Sequence, residues 1–225
     1  MKKFKRVMVA NRGEIAIRVF RALRELGIRS VAIYSKEDQL SLFRTKADES
    51  YLIGKDKSPL GAYLDIDEII KLAKAKAVDA IHPGYGFLAE NAEFAAKCEK
   101  EGITFIGPSS SAMEALGDKI KSKIVANNAK VPTIPGIQKP IENDEQAKDF
   151  AKEAGYPVII KASFGGGGRG MRVVNNEKEL IEKLHSAKSE AKQAFGNDAI
   201  FIEKYLEKPK HIEVQILGDK FGNIV

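Results

Sequence analysis

Apolar residues in the first half of the chain alternate between short continuous runs and runs with helical spacing. The short runs predict strands at 6–10, 31–34, 51–53, 79–82 and 104–106, and the helical spacing predicts helices at 14–26, 66–77 and 89–100. Gly27 follows the first helix, as expected at a helix end. Strands that alternate with helices are typical of a parallel sheet covered by helices, so the pattern predicts an α/β fold.

The second half of the chain carries a different order of elements. A helical segment at 112–127 leads to the sequence VPTIPG at 131–136, whose two prolines favour an extended crossing and mark a domain boundary. Beyond it the pattern predicts a helix at 144–154, a strand at 156–161, a glycine-rich loop, a strand at 171–174, a helix at 177–195 and a strand at 199–203. This order predicts a small lid on a stem, of the kind that closes over ligands.

The last segment of the sequence predicts an incomplete hairpin. Residues 211–217 alternate sharply between apolar and polar side chains, as in a strand, and a turn follows at 218–222. Residues 223–225 then begin a returning strand. Because an unpaired apolar strand leaves a sheet edge open, we expect the chain to be truncated.

Four consecutive glycines at 165–168 stand between Lys161 and Arg169 in the sequence KASFGGGGRG. Glycine costs roughly 0.5 to 1 kcal/mol of backbone entropy in a regular element, so a run of glycines needs a compensating use. Backbone without Cβ atoms can approach an anion closely, and the two cations add charge-assisted contacts. A flexible linker is the alternative, but linkers are Gly/Ser-rich over longer stretches and lack flanking strands. The run therefore predicts a phosphate-binding loop.

Composition and charge exclude several classes of protein. The 225 residues are 44% hydrophobic and 30% charged, which is ordinary for one or two globular domains. No apolar run approaches the roughly 18 residues of a membrane helix, so we expect a cytoplasmic protein without a membrane partner. The net charge of +6 comes from lysines that alternate with acids along helices, without a stripe of arginines and aromatics, and nucleic acid is not an expected partner. The single Cys98, within a helical pattern, indicates a buried core thiol rather than a nucleophile.

Two motifs follow strands of the first domain, at the carboxyl ends where α/β proteins bind ligands. The sequence NRGE at 11–14 lacks the three-glycine fingerprint of dinucleotide folds, and its Gly13 fits a tight structural turn. The sequence HPGYGF at 82–87 places two glycines around Tyr85. The residues alone leave two interpretations open, namely a flat substrate that approaches this loop and a sharp turn with a packed Tyr85.

Three further candidates concern a nucleotide. The sequence EKYL at 203–206 ends a strand, where free backbone N–H and C=O groups can bond an adenine edge while Tyr205 and Leu206 cover the ring. Lys119, in GDK at 117–119, offers a cation to a phosphate, although a solvated lysine is the ordinary interpretation. His211 has no second histidine at metal-ligand spacing, so we expect no zinc site.

Taken in order, these motifs resemble biotin carboxylase, the ATP-grasp module of biotin-dependent carboxylases. The similarity covers the whole chain and rests on VANRGEIA at 9–16, AIHPGYGFL at 80–88, FIGP at 105–108, GDK at 117–119, the glycine loop with Met171, and EKYL at 203–206. The segments AIYS at 32–35, KADESY at 46–51 and KHIEVQ at 210–215, with Phe164 before the glycines, look most like the pyruvate carboxylase branch. Acetyl-CoA and propionyl-CoA carboxylases share most of these motifs and stay open as alternatives.

The resemblance implies an order of domains. Residues 1–113 would form a Rossmann-like, parallel-sheet pre-ATP-grasp domain, and residues 114–130 a helical connector. Residues 131–203 would form the ATP-grasp lid subdomain, and residues 204–225 the truncated start of the main ATP-grasp domain.

The resemblance also implies a reaction and the residues that serve it. ATP would phosphorylate bicarbonate in the presence of Mg²⁺, and the carboxyphosphate would yield the carbon dioxide that carboxylates biotin on a separate carrier domain. The implied ATP-binding residues are Lys119, Lys161, Gly167, Gly168, Glu203, Lys204, Tyr205, Leu206 and His211. The implied lid loop comprises Gly165, Gly166, Arg169, Gly170 and Met171, and Tyr85 and Gly86 would lie on the biotin side.

In the resembled family the magnesium and bicarbonate ligands, the general base and the biotin-facing arginine would follow residue 225. We therefore expect no catalytic or metal-binding residue in this chain, and no full reaction from it alone. The sequence also lacks an Ala-Met-Lys-Met biotinylation site. Expected partners are the carrier domain, the remainder of the carboxylase and, in the full-length protein, a second copy. Another ATP-grasp ligase, of the carbamoyl-phosphate or peptide type, and a short non-catalytic binding or regulatory module stay open.

Overall fold

The computed structural model of the protein describes residues 4–117, 119–137, 139–162, 171–219 and 221–225. These residues form two compact units, Met1–Val125 and Ala126–Val225. Each unit has its own hydrophobic core. The four domain limits expected from the resemblance stay predictions.

The first unit alternates strands and helices, as its apolar pattern predicted. Its elements are β1 (Arg6–Val9), α1 (Gly13–Glu25), β2 (Arg29–Tyr34), β3 (Glu49–Leu52), α2 (Pro59–Tyr63), α3 (Ile66–Ala75), β4 (Ala80–His82), α4 (Ala92–Lys100), β5 (Thr104–Phe105) and α5 (Ser110–Gly117). Two 3-10 helices, Lys36–Asp38 and Leu42–Lys46, lie between β2 and β3. The sequence pattern did not predict these two helices or α2, because each is too short to show a period.

The five strands form one parallel sheet in the order β3-β2-β1-β4-β5. Val9 of β1 lies opposite Ala32 of β2 on one side and opposite His82 of β4 on the other. From β1 the chain adds β2 and then β3 on one side of the sheet. It then crosses back and adds β4 and β5 on the other side of β1. The strand order therefore reverses between β1 and β4, and the carboxyl ends of these strands border the crevice in which such sheets bind ligands.

Alternate residues of β1 explain why helices cover both faces of this sheet. Val7 and Val9 are buried against Phe20 of α1, whereas Met8 is buried in the cluster that contains Ile69 of α3 and Phe94 of α4. Successive side chains of a strand point to opposite faces, so an uninterrupted apolar strand requires cover on both.

The predicted burial of the thiol of Cys98 is confirmed. Cys98 lies on α4 within the core cluster. Burial raises the pKa of this thiol to about 12, because a thiolate would lose its hydration there. Cys98 is therefore a packing residue rather than a nucleophile.

The second unit is built on a three-stranded antiparallel sheet in the order β7-β6-β8. Its elements are α7 (Asp144–Ala154), β6 (Val158–Ala162), β7 (Met171–Val174), α8 (Glu177–Phe195) and β8 (Ile200–Lys204), while α6 (Lys119–Asn128) contains the position where the two units divide. Leu180 and Leu184 of α8 pack on Ile160 and Ile202 of the sheet. The predicted order of helix, strand, strand, helix and strand is confirmed, and residues 163–170, where the glycine loop is predicted, lie outside the described residues.

The predicted extended crossing at 131–136 runs into the edge of this sheet. Ile137 donates its N–H to Ile202 O at 3.0 Å, and Ile141 donates to Ile200 O at 2.9 Å. In the opposite direction, the N–H of Lys204 donates to Pro135 O at 2.9 Å. The crossing therefore covers the free edge of β8.

The strand predicted at 211–217 is not formed in the part of the chain that the structure describes. Its apolar side chains are exposed, as Ile212 is at 79%. Only the end of the predicted hairpin pairs, through the bonds that Leu217 and Val225 exchange at 2.8 and 3.0 Å. An alternating segment becomes a strand only when neighbouring backbone supplies its hydrogen bonds, and no described residue does so for 211–216.

No helix in the described ranges combines the length and apolar character that crossing a membrane requires.

Gly54 and Gly102 provide a matched test of packing in the first unit. Both have a positive φ, of +59° and +70°. A Cβ on Gly54 would lie 2.3 Å from the Cβ of Ala62, whereas a Cβ on Gly102 would meet nothing within 4 Å. We expect Gly102→Ala to lower the free energy of unfolding by about 1 kcal/mol through backbone strain. Gly54→Ala should lower it by about 1 to 3 kcal/mol more through overpacking.

Denaturant unfolding of the two variants, followed by circular dichroism, measures this difference. If Gly54→Ala and Gly102→Ala lost the same free energy of unfolding, the backbone of Gly54 would not be packed tightly against Ala62.

Candidate functional site

The turn after β1 and the loop after β4 meet where the strand order reverses. Asn11, which is only 4% exposed, donates from Nδ2 to Pro83 O at 2.7 Å and to Tyr85 O at 2.8 Å. Its Oδ1 accepts the N–H of Arg12 at 2.8 Å. One buried amide therefore joins the two motifs that the sequence placed at strand ends.

The loop fits closely against this amide because Gly84 has no side chain. Gly84 has a φ of +67°, and a Cβ there would lie 2.6 Å from Asn11 Nδ2. Its N–H donates to Nδ1 of His82 at 3.0 Å. Burial lowers the pKa of His82, which keeps Nδ1 available as an acceptor.

A second set of contacts holds the far end of the loop. Arg12 forms two bonds to the buried Asp38, from Nε at 2.6 Å and from an amino group at 2.5 Å. Asp38 accepts the hydroxyl proton of Tyr63 at 2.6 Å, and the Tyr63 hydroxyl accepts the N–H of Ser35 at 3.2 Å. The ring of Tyr63 stacks on that of Phe87, with centroids 5.1 Å apart and planes 2° from parallel.

The Asp38 carboxylate is the charged centre of this network. The hydrogen bond from Arg12, aided by those from Tyr63 and Ser41, lowers the pKa of Asp38 to about 2 despite burial. Burial and the bond to Asp38 raise the pKa of Tyr63, so its hydroxyl stays a donor. Asp38 and Tyr63 gave no signal in the sequence analysis, because tertiary folding brings them to Arg12 from distant positions.

Tyr85 lies on the open side of the loop. Its side chain is 62% exposed, and its hydroxyl donates to Oε1 of Glu14 at 2.7 Å. The carboxylate of Glu14 raises the pKa of Tyr85 through this bond. The interpretation of a sharp turn with a packed Tyr85 is therefore wrong as regards packing, because the tight turn exposes the ring. A Cβ on the neighbouring Gly86 would meet nothing within 4 Å, so the backbone there is open to a ligand.

In the second unit, Lys161 of β6 and Glu203 of β8 lie side by side. The Nζ of Lys161 donates to Oε2 of Glu203 at 2.6 Å. In the sheet register Ile159 lies opposite Glu203 and Lys161 opposite Phe201, and none of these four side chains belongs to the buried core row. The alternation of the strands therefore places both charges on the face away from the helices.

Two backbone N–H groups at the end of β8 are already hydrogen-bonded. The N–H of Lys204 is bonded to Pro135 O at 2.9 Å, and the N–H of Tyr205 to Pro157 O at 3.1 Å. Free backbone groups along EKYL stay a prediction, and the N–H groups of Lys204 and Tyr205 are not among them, because Pro135 in the extended crossing and Pro157 just before β6 accept them. Among the described residues none accepts the N–H of Leu206, whose side chain is exposed.

The remaining candidates lie as follows. Lys204 donates from Nζ to Gly155 O at 2.9 Å, and His211 is exposed with its Nε2 2.9 Å from Oε1 of Glu213. Met171 begins β7 and is exposed, and Lys119 begins α6. The glycine-loop candidates Gly165, Gly166, Gly167, Gly168, Arg169 and Gly170 lie outside the described residues.

The hydroxyl of Tyr63 offers a test of the network at Asp38. Tyr63→Phe keeps the ring but removes two hydrogen bonds, the one donated to Asp38 and the one accepted from the Ser35 N–H. We therefore expect the free energy of unfolding at pH 7 to fall by about 1 to 3 kcal/mol. The lowered pKa of Asp38 means that its charged form contributes stability above the unfolded pKa near 4, and that this contribution is lost as the pH falls toward about 2. The effect of the substitution should therefore shrink between pH 7 and pH 2.

Thermal or denaturant unfolding across this pH range measures the effect. Tyr34→Phe is the control, because no described residue bonds that hydroxyl, and it should cost less than about 0.5 kcal/mol. If the loss of unfolding free energy in Tyr63→Phe were the same at every pH, the Tyr63 hydroxyl would not act through the charge on Asp38.

Family models match nearly the whole chain. The model described as "Biotin carboxylase, N-terminal domain" matches residues 3–113. The model described as "Carbamoyl-phosphate synthase L chain, ATP binding domain" matches residues 118–225.

Known proteins resemble the chain over its full length. It is 60% identical over 220 residues to the pyruvate carboxylase of Bacillus subtilis (strain 168), a match that covers 98% of this chain and 19% of that protein. It is 57% identical over 224 residues to the mitochondrial pyruvate carboxylase of Homo sapiens, again covering 19% of it. The chain thus spans about a fifth of the length of these relatives.

Solved structures share its fold. The biotin carboxylase of Campylobacter jejuni matches with a TM-score of 0.86 and 50% identity, over 99% of this chain and 50% of that chain. The biotin carboxylase domain dimer of the Hydrogenobacter thermophilus 2-oxoglutarate carboxylase, solved with MgADP, ADP and bicarbonate, matches with a TM-score of 0.85 and 52% identity, over 100% of this chain and 49% of that chain. The chain therefore belongs to the biotin carboxylase family, of which it carries the amino-terminal domain and an ATP-binding domain.

Proposed function

We propose that the protein containing this chain uses ATP and bicarbonate to carboxylate biotin on a carrier domain, as the biotin carboxylase part of a pyruvate carboxylase. The observation that carries the proposal is the Lys161–Glu203 pair, set on one face of a small antiparallel sheet at 2.6 Å. The two strands that flank the glycine run, β6 and β7, belong to the same sheet. A cation that Glu203 holds in place, on the sheet whose strands flank the glycine-rich sequence, suits the binding of a nucleoside triphosphate.

In the proposed reaction the γ-phosphoryl group of ATP moves to a bicarbonate oxygen, and ADP leaves. Carboxyphosphate then breaks its C–O bond to release phosphate and carbon dioxide, and the ureido nitrogen of biotin loses a proton and forms the new N–C bond. Phosphoryl transfer of this kind depends on positioning and on charge neutralisation. The described residues would supply binding and positioning, and the residues that activate bicarbonate and accept the proton are not assigned to this chain.

The nucleotide would be held by charge at one end and by backbone at the other. Lys161 would exchange part of its contact with Glu203 for a phosphate oxygen. Since the N–H groups of Lys204 and Tyr205 are already bonded, the N–H of Leu206 is the donor that we assign to an adenine edge. Contacts from Lys119, the lid glycines 165–168 and His211 stay predictions.

Magnesium would neutralise phosphate charge when bound with ATP. Within the described ranges no group of three or more His, Cys, Asp or Glu side chains could hold a metal ion, so no step of the proposal runs through it. A carrier domain, the remainder of the carboxylase and a second copy are proposed partners, and a cytoplasmic location stays a prediction.

Pyruvate is the proposed final acceptor because the similarity to pyruvate carboxylases reaches 60% identity. The 52% identity to a domain of 2-oxoglutarate carboxylase shows that other carboxylases carry closely similar domains. Acetyl-CoA and propionyl-CoA carboxylases, and a non-catalytic module, are the alternatives that the experiment must separate.

The full-length protein that contains this chain tests the proposed function. We expect its ATP hydrolysis to depend on bicarbonate and to rise with free biotin, and its carboxylated biotin to pass to pyruvate. Product analysis with labelled bicarbonate separates pyruvate from the acyl-CoA acceptors. Absence of hydrolysis that responds to bicarbonate and biotin would refute the carboxylase and favour the non-catalytic module.

Lys161→Ala tests the phosphate contact in the same full-length protein. Loss of one charge-assisted bond is worth about 1.5 to 3 kcal/mol, so we expect the Kd for ATP to rise by roughly 10- to 150-fold. Lys178→Ala, which removes an exposed lysine of α8, is the matched control and should change the Kd less than about twofold. An ATP affinity that is unchanged by Lys161→Ala would rule out the assigned role of Lys161.

A further inference from the structure

Asn11 is a buried polar side chain whose amide nitrogen donates both of its hydrogens to one loop. Both of its Nδ2 bonds go to carbonyls two residues apart, those of Pro83 and Tyr85. Drawing two carbonyl groups toward one nitrogen fixes the backbone between them in a turn. Burying an amide is unfavourable unless its hydrogen bonds are made, so this arrangement holds only with the loop in this shape.

The loop is in turn built around Asn11. Gly84 approaches so closely that a Cβ would lie 2.9 Å from Asn11 Cγ, and its φ of +67° is one that few side chains adopt. The N–H of Gly84 is fixed to His82. Neither partner can move without breaking buried hydrogen bonds of the other.

The far end of the loop is held from the neighbouring residue of the β1 turn. Phe87 has a φ of +41°, which is strained for a residue with a side chain. Its ring stacks on Tyr63, which Asp38 and Arg12 hold in place. Adjacent residues, Asn11 and Arg12, therefore hold the loop after β4 at both of its ends.

Between these fixed ends the loop presents Tyr85 and Gly86 to the outside. The ring of Tyr85 is exposed although its backbone carbonyl is bound to Asn11, and the backbone at Gly86 is open. A rigid backbone beside an exposed aromatic ring suits ligand binding, because the loop then loses little conformational entropy when the ligand binds.

We propose that Asn11 is the positioning residue of residues 83–86, and that its amide holds Tyr85 and Gly86 in the shape that receives biotin. The biotin part of this statement rests on the proposed function, whereas the positioning part rests only on the contacts of Asn11. A carboxylate at position 11 would keep the size of the side chain and lose its ability to donate. Asn11→Asp is therefore the sharpest variant, and Asn11→Ala is the second.

The control is another buried polar residue of the same sheet. Ser30 lies at the start of β2, where its hydroxyl is bonded to Asp48 Oδ2 at 2.7 Å. In this parallel sheet the start of β2 lies at the opposite edge from the loops after β1 and β4. Ser30→Ala should lower stability without changing the loop.

The experiment has two measurements on the full-length protein. Hydrogen exchange of the backbone amides of residues 84–88 should speed up at least about tenfold in Asn11→Asp and stay unchanged in Ser30→Ala, because loss of a buried hydrogen bond shifts local opening by about that factor. In steady-state kinetics the KM for free biotin should rise roughly 5- to 50-fold in Asn11→Asp while the KM for ATP changes less than about twofold. A merely structural role would change both constants, or neither, as in Ser30→Ala.

The two measurements distinguish the positioning role of Asn11 from the assignment of the loop to biotin. Unchanged amide exchange of residues 84–88 in both Asn11 variants overturns the positioning role. Faster exchange with an unchanged KM for biotin overturns the assignment of the loop to biotin. If the unmodified protein shows no response to biotin, the proposed function fails, and the exchange measurement still decides whether Asn11 positions the loop.

Discussion

The parallel pairing of β1 with both β2 and β4 is the constraint on which the first unit depends. Parallel strands deliver their following loops to the same edge of a sheet, so the pairing of Val9 with Ala32 and with His82 fixes where the turn at 11–14 and the loop at 82–87 emerge. The buried amide of Asn11 then joins them. The network at Asp38 extends the same junction to the segment after β2. Loops that would otherwise be mobile are thereby made a defined surface.

The second unit depends on a simpler constraint, the two-residue period of its antiparallel strands. Ile160 and Ile202 face the helices, so Lys161 and Glu203 must face away from them. Their 2.6 Å contact places a cation beside an anion in a part-buried position on that face. The proposed phosphate contact would draw on this lysine. The two units thus carry different candidate sites, the face with Lys161 and Glu203 that we propose for the nucleotide in one and the loop around Tyr85 in the other.

Similarity to known proteins narrows the function without fixing every part of it. The two family models cover complementary parts of the chain, and pyruvate carboxylases match nearly all or all of its residues. The matched domain is also found in a 2-oxoglutarate carboxylase, which carboxylates a different acid. Carboxylases named for different acids therefore carry similar domains, and the acceptor proposed above rests on the identity to pyruvate carboxylases.

The sequence by itself determined α1, α3 and α8, because apolar residues at helical spacing record which face is buried, and it determined the strands of both sheets from their short apolar runs. It also located the glycine run, EKYL and HPGYGF as candidate sites. Tertiary structure alone decided the exposure of Tyr85, the use of the Lys204 and Tyr205 N–H groups by other segments, and the absence of a strand at 211–216 among described residues. Each of these depends on which backbone or side chain arrives from elsewhere in the chain. The same is true of Asp38 and Tyr63, whose role exists only because folding brings them to Arg12.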